Sequence, residues 1–273
     1  MGSPTFRALG RHASGVTIFD RVLCGVDGTP AGDAAAAIAA RIVSPTGTLE
    51  LVSVAETQLA VHAGWAAPGV LDAIEHAAQD SLEQSRSAVE PTHHAEAELL
   101  EGHPADVLLA EIKRRAASLA VVGMRAHSRA VGIALGSVAT FLLHEAPCSM
   151  LVVREGVDPE SWPGSIAVGV DGSPEAAAAL DVAHQLARRF GAELRAIAAT
   201  REPRADLDTA RRLAPELEEV PGGAVDELAH AGEHADLVVV GSRGLTGIRA
   251  LGSVSERVAH EASCPVLVVR GAA

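Results

Sequence analysis

Short apolar runs alternate along the chain with longer segments in which apolar residues recur every three or four positions. The runs are rich in Val, Leu, Ile and Ala, which is typical of strands buried on both faces in a parallel sheet. The longer segments are typical of helices that pack one face on such a sheet. The pattern therefore predicts repeated β-α-β units, which form a parallel sheet with helices on both faces.

The whole pattern occurs twice, so the chain contains an internal duplication. A short strand followed by Asp-Gly ends at Asp27 and again at Asp171, and the apolar runs that start at Leu119 and Leu237 are each followed by glycine. Each copy is predicted to have the order β-α-β-α-β-α-β-α-β. The fold class is therefore α/β, with two tandem doubly wound, Rossmann-like domains that each have a five-stranded parallel sheet. The expected segments are a mobile tail (1–20), a first domain (21–154), a polar linker (155–163) and a second domain (164–273).

The two copies differ most in the middle. The first copy is predicted to have a helix over about 70–89, and its counterpart over about 206–213 is short. The Ala-rich run to Ile42 is predicted to be the first helix, with Gly47 after it, and Gly191 is predicted to end the equivalent helix, because glycine is common just past helix ends. The last strands, 150–153 and 266–269, are apolar and would be exposed edges if unpaired. We expect them to pair with each other within the chain, and the product to form a homodimer.

Composition excludes several classes of function. The net charge of −13 argues against nucleic acid or an anionic membrane as main partner. No apolar run reaches the roughly 18 residues of a membrane span, and no signal peptide is evident. The three cysteines form no CxxC pair, which favours buried reduced thiols and a cytoplasmic location. His, Cys and acidic residues lack metal-ligand spacing, so no metal site is expected.

Lysine usage restricts how this chain can hold phosphate. The only lysine is Lys113, which has no glycine loop before it. A Walker P-loop needs Gly-Lys-Ser/Thr, so that class of ATPase is excluded. Phosphate must instead be held by backbone N–H groups, hydroxyls and arginine.

A strand, a glycine loop and a helix start follow one another in both copies, and this combination suits an anion. The second copy carries Gly241, Arg243, Gly244 and then Gly252, Ser253 and Val254. The first carries Gly123, Arg125, Ala126 and then Gly136, Ser137 and Val138. Two interpretations stay open for each arginine, a phosphate contact or a solvated surface residue. Gly-Ser is also an ordinary helix N-cap, a role that does not exclude phosphate contact.

The Asp-Gly pairs that end the first strands are the second candidate feature. Asp27-Gly28 and Asp171-Gly172 lie at the same edge of the predicted sheet as the glycine loops, where open α/β sheets bind ligands. The alternative is that each aspartate only caps the turn before a helix. No Ser/His/Asp order and no Gly-x-Ser-x-Gly stands out, so no catalytic residue is assigned.

Together these motifs resemble those of the universal stress protein family, in tandem, over about residues 21–270. The resemblance rests on Val-Asp-Gly-Ser/Thr-Pro, Val-Val-Gly-x-Arg, Gly-Ser-Val and Cys-Pro-Val-Leu-Val-Val. It implies the five-stranded α/β fold of that family. In ATP-binding members, the first-strand Asp and the end of the second strand hold adenosine, and Gly-x2-Gly-x9-Gly-Ser/Thr cradles the phosphates. The matching adenosine positions are Asp27 with Val54, and Asp171 with Ala199.

Both copies depart from the family's phosphate motif. In the first, Ala126 replaces the second glycine but nine residues still separate it from Gly136. In the second, Gly241 and Gly244 are both present, but only seven residues separate Gly244 from Gly252. A left-handed Ala126 would cost roughly 1–2 kcal/mol, whereas two missing residues remove about 7 Å of contour. The first copy is therefore the better expected site.

The resemblance implies an ATP-binding stress-response regulator or sensor without strong catalytic activity, with ATP, with or without Mg²⁺, as its ligand. A protein-interaction module that has lost nucleotide binding is the alternative. A slow ATPase is the third hypothesis. The protein partner is unknown under each of them.

Overall fold

The computed structural model describes residues 18–57, 68–124, 136–203, 205–242 and 254–271. Strands and helices alternate in these ranges as the apolar pattern predicts. The strands are β1 (Arg21–Val26), β2 (Thr48–Ala55), β3 (Ala95–Glu101), β4 (Leu119–Met124), β5 (Ser149–Arg154), β6 (Ser165–Gly169), β7 (Glu193–Ala199), β8 (Glu218–Val220), β9 (Leu237–Ser242) and β10 (Val266–Arg270). The helices are α1 (Pro30–Ile42), α2 (Pro68–Val89), α3 (Pro104–Arg114), α4 (Ser137–Glu145), α5 (Pro174–Phe190), α6 (Leu207–Leu213), α7 (Ala224–Ala231) and α8 (Val254–Glu261).

All ten strands lie in one sheet, in the order β3-β2-β1-β4-β5-β10-β9-β6-β7-β8. Neighbours within each half are parallel, which confirms the predicted doubly wound α/β class. β5 and β10 are antiparallel and join the halves. The two predicted five-stranded sheets are thus one continuous sheet, and the predicted pairing of the last strands within the chain is confirmed.

The join between the halves has the register of a pseudo-twofold axis. Leu151 lies opposite Leu267, and these two residues are equivalent in the duplication. Pairing these two apolar strands covers both of the edges that would otherwise promote aggregation.

Two apolar cores cover the two faces of the sheet, and each runs through both halves. One contains residues of α1, α2, α5 and α6, and the other contains residues of α3, α4, α7 and α8. Val, Leu, Ile and Ala supply most of both cores, as the scarcity of aromatic residues requires. The three cysteines are free and buried, as expected.

The predicted first helix to Ile42 is confirmed, but the role of Gly47 as the residue that ends it is wrong, whereas the helix end at Gly191 is confirmed. α1 ends at Ile42, and the N–H of Gly47 donates to the Ser44 carbonyl in a turn. Pro45 explains the early end, because the residue before a proline is disfavoured in helical conformation. Gly191 caps α5 with a left-handed φ of 70°.

Two segments outside the predicted domains supply core residues. Phe19, from the predicted tail, is 3% exposed, while residues 1–17 lie outside the described ranges. Trp162, from the predicted linker, is 2% exposed, and its Nε1–H donates to the Asp236 carbonyl at 2.8 Å. The segment between the halves is therefore part of the packed structure. In the described part of the chain, no helix has the length and apolar character needed to cross a bilayer.

Candidate functional site

The strand order within the first half, 3-2-1-4-5, places a topological switch between β1 and β4. β1 has β2 on one side and β4 on the other. The helix after β1, α1, and the helix after β4, α4, therefore cover opposite faces of the sheet. A crevice forms at the carboxyl ends of such strands, and open α/β proteins bind ligands there. The ends of β6 and β9 define the equivalent position in the second half.

Asp27 and Asp171 stand at these switch points and make the same local turn. Asp27 Oδ1 accepts from Thr29 N at 3.1 Å and from Thr29 Oγ1 at 2.6 Å. Asp171 Oδ1 accepts from Ser173 N at 2.9 Å and from Ser173 Oγ at 2.5 Å. The hydroxyls of Thr29 and Ser173 in turn cap α1 and α5. Each aspartate therefore has the turn-capping role that sequence left open, and a ligand contact remains a prediction.

The glycines after these aspartates are required by the backbone. Gly28 has φ of 69° and Gly172 has φ of 83°, in the left-handed region that favours glycine. The strand therefore turns directly into the helix at both places, which keeps the aspartates at the sheet edge.

Gly123 and Gly241 have a packing role that the motif did not predict. A Cβ on Gly123 would lie 2.5 Å from the carbonyl carbon and oxygen of Ala31. A Cβ on Gly241 would lie 2.4 Å from the carbonyl oxygen of Glu175, at the equivalent place. The end of the fourth strand thus touches the backbone of the first helix, which fixes the width of the crevice.

The start of α4 has the features of an anion site. Gly136 is its N-cap, Gly136 and Ser137 are exposed, Val138 is partly buried, and no capping side-chain hydrogen bond is seen among the described residues. A Cβ on Gly136 would meet no atom of the described residues within 4 Å, so these residues leave the space over this helix start open. The first N–H groups of a helix have no intrahelical partners and carry the positive end of its dipole. These features fit a phosphate group.

Part of each predicted phosphate motif cannot be placed. Arg125, Ala126, Arg243, Gly244, Gly252 and Ser253 lie outside the described residues. Val254 is the first residue of α8 and is exposed.

The two halves differ at the adenosine positions. Asp27 is exposed and Val54 is partly exposed, whereas Asp171 is partly covered and Ala199 is buried. In the second half, the N–H of Asp206 donates to the Asp171 carbonyl at 2.8 Å. A Cβ on Gly172 would lie 2.4 Å from the Asp206 carbonyl oxygen. The segment before α6 therefore packs directly on the switch point of the second half.

In the first half, the Asp27-Gly28 turn faces a side chain of α2, where the Asp171-Gly172 turn faces the backbone of Asp206. A Cβ on Gly28 would lie 3.0 Å from Ser81 Oγ, on α2. Ser81 is 8% exposed, and its hydroxyl has no hydrogen-bond partner in the described structure. One turn later, Ser85 Oγ donates to Asp33 Oδ1 at 3.1 Å, which fixes α2 to α1. Sequence reasoning missed Ser81, because a serine within a helix carries no signal of its own.

Electrostatics gives no sign of a cysteine nucleophile beside the site. Burial, and then the negative charge of Asp27, raise the pKa of the Cys24 thiol far above its ordinary value. Because the thiolate is the nucleophile, a raised pKa makes Cys24 a poor nucleophile at neutral pH. Among the residues with described positions, no cluster of three or more His, Cys, Asp or Glu is placed to hold a metal ion.

The fold and the paired switch points define a class of tandem, doubly wound α/β proteins. The universal stress protein family model matches residues 18–154 and 204–270. The chain belongs to the universal stress protein family.

Relatives support this assignment along most of the chain. A universal stress protein of Mycobacterium tuberculosis is 31% identical over 91% of this chain and 96% of its own length. Another, from Mycobacterium bovis, is 33% identical, but the match spans 56% of this chain and only 62% of that relative.

One solved structure has the same fold along most of the chain. The crystal structure of a universal stress protein from Archaeoglobus fulgidus covers 91% of this chain and 95% of its own, with a TM-score of 0.71 and 19% identity. A universal stress protein solved in complex with cAMP is 36% identical over 39% of this chain, with a TM-score of 0.32.

Proposed function

We propose that this protein binds an adenine nucleotide, ATP in the first instance, in its first half, and that it acts as a stress-response regulator or sensor with little turnover. The observation that carries the proposal is the exposed Asp27 at the switch point, in the same half as the exposed start of α4, whose N-cap Gly136 has no side chain to occupy the helix N–H groups. The two features supply a carboxylate for the nucleoside and backbone N–H groups for phosphate.

The described residues of the first half fit such a ligand. Asp27 and Val54 would hold the nucleoside, and Gly136, Ser137 and Val138 would offer the N-terminus of α4 to the phosphates. No side chain of the described residues stands within 4 Å of where a Cβ on Gly136 would lie. A phosphate group can therefore approach the backbone closely there. Mg²⁺ would arrive with ATP, because the described residues offer no acidic cluster to hold it alone.

The second half is proposed to be a structural partner that holds little or no nucleotide. Asp206 packs on the Asp171-Gly172 turn, and Ala199 is buried. A nucleoside in this position would have to displace the backbone hydrogen bond between Asp206 and Asp171. That displacement adds a cost which binding in the first half does not meet.

We propose regulation and not catalysis because of the kinds of group found in the first half. The groups that the described residues of the first half offer are an aspartate, glycines and a helix N-terminus, which would bind and orient a nucleotide. Hydrolysis needs in addition a group that orients water or accepts a proton, and Asp27 already accepts hydrogen bonds from Thr29.

Calorimetric titration of the full chain with ATP, at millimolar Mg²⁺, tests the proposal. We expect saturable binding, weaker binding of GTP, and nucleotide that remains intact during the titration. No heat of binding at millimolar ATP would overturn the proposal and favour a protein-interaction module. Accumulation of ADP would instead favour the slow ATPase.

A further inference from the structure

Two arginines, the buried Arg154 and the partly buried Arg270, cross the join between the halves in opposite directions. Arg154, the last residue of β5, donates through Nη2 to the carbonyls of Ala259 (2.9 Å) and His260 (3.0 Å) at the end of α8. Arg270, the last residue of β10, donates through Nη2 to the Leu143 carbonyl (2.5 Å) near the end of α4. The duplication makes these contacts equivalent, because Arg154 corresponds to Arg270 and Leu143 to Ala259.

The acceptors are helix C-terminal carbonyls, which lack intrahelical partners and carry the negative end of the helix dipole. Arg154 is 7% exposed, and Nε of each arginine has no partner in the described structure. Burial lowers the pKa of Arg154 to about 10, so it is still charged at neutral pH. The carbonyl groups at the helix ends thus stabilise the positive charge of each arginine. A helix end that loses its arginine loses a hydrogen-bond donor and a favourable positive charge.

The two helices that the arginines bind, α4 and α8, are the ones that follow the glycine motifs in the sequence. α4 begins after Gly136 and has nine residues, about 13 Å at 1.5 Å per residue. Its far end is the end that Arg270 binds. A short helix moves as a unit, so a shift at Leu143 displaces the N–H groups next to Gly136.

Each arginine also lies beside the glycine strand of its own half. Arg154 pairs in register with Met124, which follows Gly123, and Arg270 pairs with Ser242, which follows Gly241. Further contacts hold the arrangement in place. Arg270 N donates to Ser149 Oγ at 3.2 Å, and His144 Nε2 on α4 lies 3.1 Å from Glu256 Oε1 on α8.

We propose that Arg270 is a positioning residue for the nucleotide site of the first half. Arg270 belongs to the second half, so the second half would influence the nucleotide affinity of the first half without contacting the nucleotide. This inference rests on the proposed function. It gives the second half a role even where its own site is closed: Arg270 holds α4 with its N-terminus turned toward the phosphates.

The duplication supplies a matched control. Arg154→Met removes the same kind of clamp from the same interface, but it releases α8, in the half that we propose to be closed. Arg270→Met releases α4. We expect Arg270→Met to weaken ATP binding about five- to tenfold and Arg154→Met to leave it within about twofold. Arg270→Lys keeps the charge and one donor, so it should recover part of the affinity.

Hydrogen exchange on the nucleotide-free full-length proteins supplies a second readout. Arg270→Met should accelerate exchange over residues 136–145, and Arg154→Met over residues 254–261. Circular dichroism and size-exclusion chromatography show whether each variant is folded before either measurement.

The outcomes separate this inference from the proposed function. No ATP binding by the wild-type chain overturns the proposed function, and a nucleotide-specific role of Arg270 with it. Wild-type binding with equal affinity in Arg270→Met overturns only the inference. Equal weakening in both variants, or no selective change in exchange over α4, shows a general loss of the interface and also overturns it.

Discussion

The backbone N–H of Asp206 donates to the carbonyl oxygen of Asp171 at 2.8 Å, across the switch point of the second half. The equivalent turn of the first half, Asp27-Gly28, faces the side chain of Ser81 instead. The two copies have the same strand order and the same aspartate turn, yet the second is covered by its own backbone. Duplication thus preserved the scaffold while the two crevices diverged.

Gly28→Ala and Gly172→Ala test this difference through stability. Both residues have a left-handed φ, which costs alanine about 1–2 kcal/mol. At Gly172 the methyl group also meets the Asp206 carbonyl at 2.4 Å, whereas at Gly28 it meets a hydroxyl at 3.0 Å. We expect Gly172→Ala to lower the free energy of unfolding by at least about 1 kcal/mol more, as measured by urea denaturation. Equal losses would show that Asp206 does not pack on this turn.

The glycines of the phosphate motif should separate into packing and binding residues. Gly123→Ala places a methyl group 2.5 Å from the Ala31 backbone, so it should cost about 2–4 kcal/mol or prevent folding. Gly136→Ala meets no described atom within 4 Å, so it should cost at most about 1 kcal/mol, the penalty of alanine as a poorer N-cap than glycine. Thermal unfolding measures both. If Gly136→Ala destabilises as much as Gly123→Ala, the open space over α4 is not present.

The segment between the halves should prove to be structural. Trp162→Ala removes a side chain that is 2% exposed and should cost about 3–5 kcal/mol. Glu160→Ala, in the same segment, changes an exposed residue and should be nearly neutral. Chemical denaturation of both variants makes the comparison. A neutral Trp162→Ala would restore the interpretation of this segment as a simple linker.

Alkaline pH should destabilise the protein through buried thiols. Burial raises the pKa of Cys148 to about 11 and that of Cys264 to about 12. Groups with a raised folded-state pKa contribute stability below their unfolded pKa of about 9, and this contribution is lost as pH rises toward 11–12. Urea midpoints measured from pH 8 to 11 should therefore fall, and they should fall less in Cys148→Ala than in the wild type. A wild-type urea midpoint that stays constant or rises from pH 8 to 11 would contradict the raised pKa values of these thiols.

Sequence alone was sufficient for the fold, because buried parallel strands and amphipathic helices leave a strong periodic signal. The internal duplication fixed the register of the two copies, and the apolar last strands indicated the β5–β10 pairing. Gly47 shows the limit of local rules: it looks like a helix cap, but Pro45 had already ended the helix.

The site was only partly predictable. Asp27 and Asp171 were found because they follow strands, but their unequal exposure depends on Asp206 and on α2, which are distant in sequence. Gly123 was interpreted as a phosphate residue, and its contact with Ala31 is visible only in three dimensions. The clamps made by Arg154 and Arg270 left no motif, because an arginine at a strand end looks like a surface residue in sequence even when, like Arg154, it is buried.

Nucleotide stoichiometry tests the central claim most directly: full-length wild type, Asp27→Ala and Asp171→Ala are saturated with ATP and Mg²⁺, and bound nucleotide is counted by chromatography with mass detection after denaturation. The two variants lose the same turn contacts, so each controls for the other's effect on folding. We predict about one nucleotide per chain in the wild type and in Asp171→Ala, and well below one per chain in Asp27→Ala at the ATP concentration that just saturates the wild type, because its affinity should fall at least about tenfold. Two nucleotides per wild-type chain, or loss of binding in Asp171→Ala but not in Asp27→Ala, would contradict the assignment of the site to the first half.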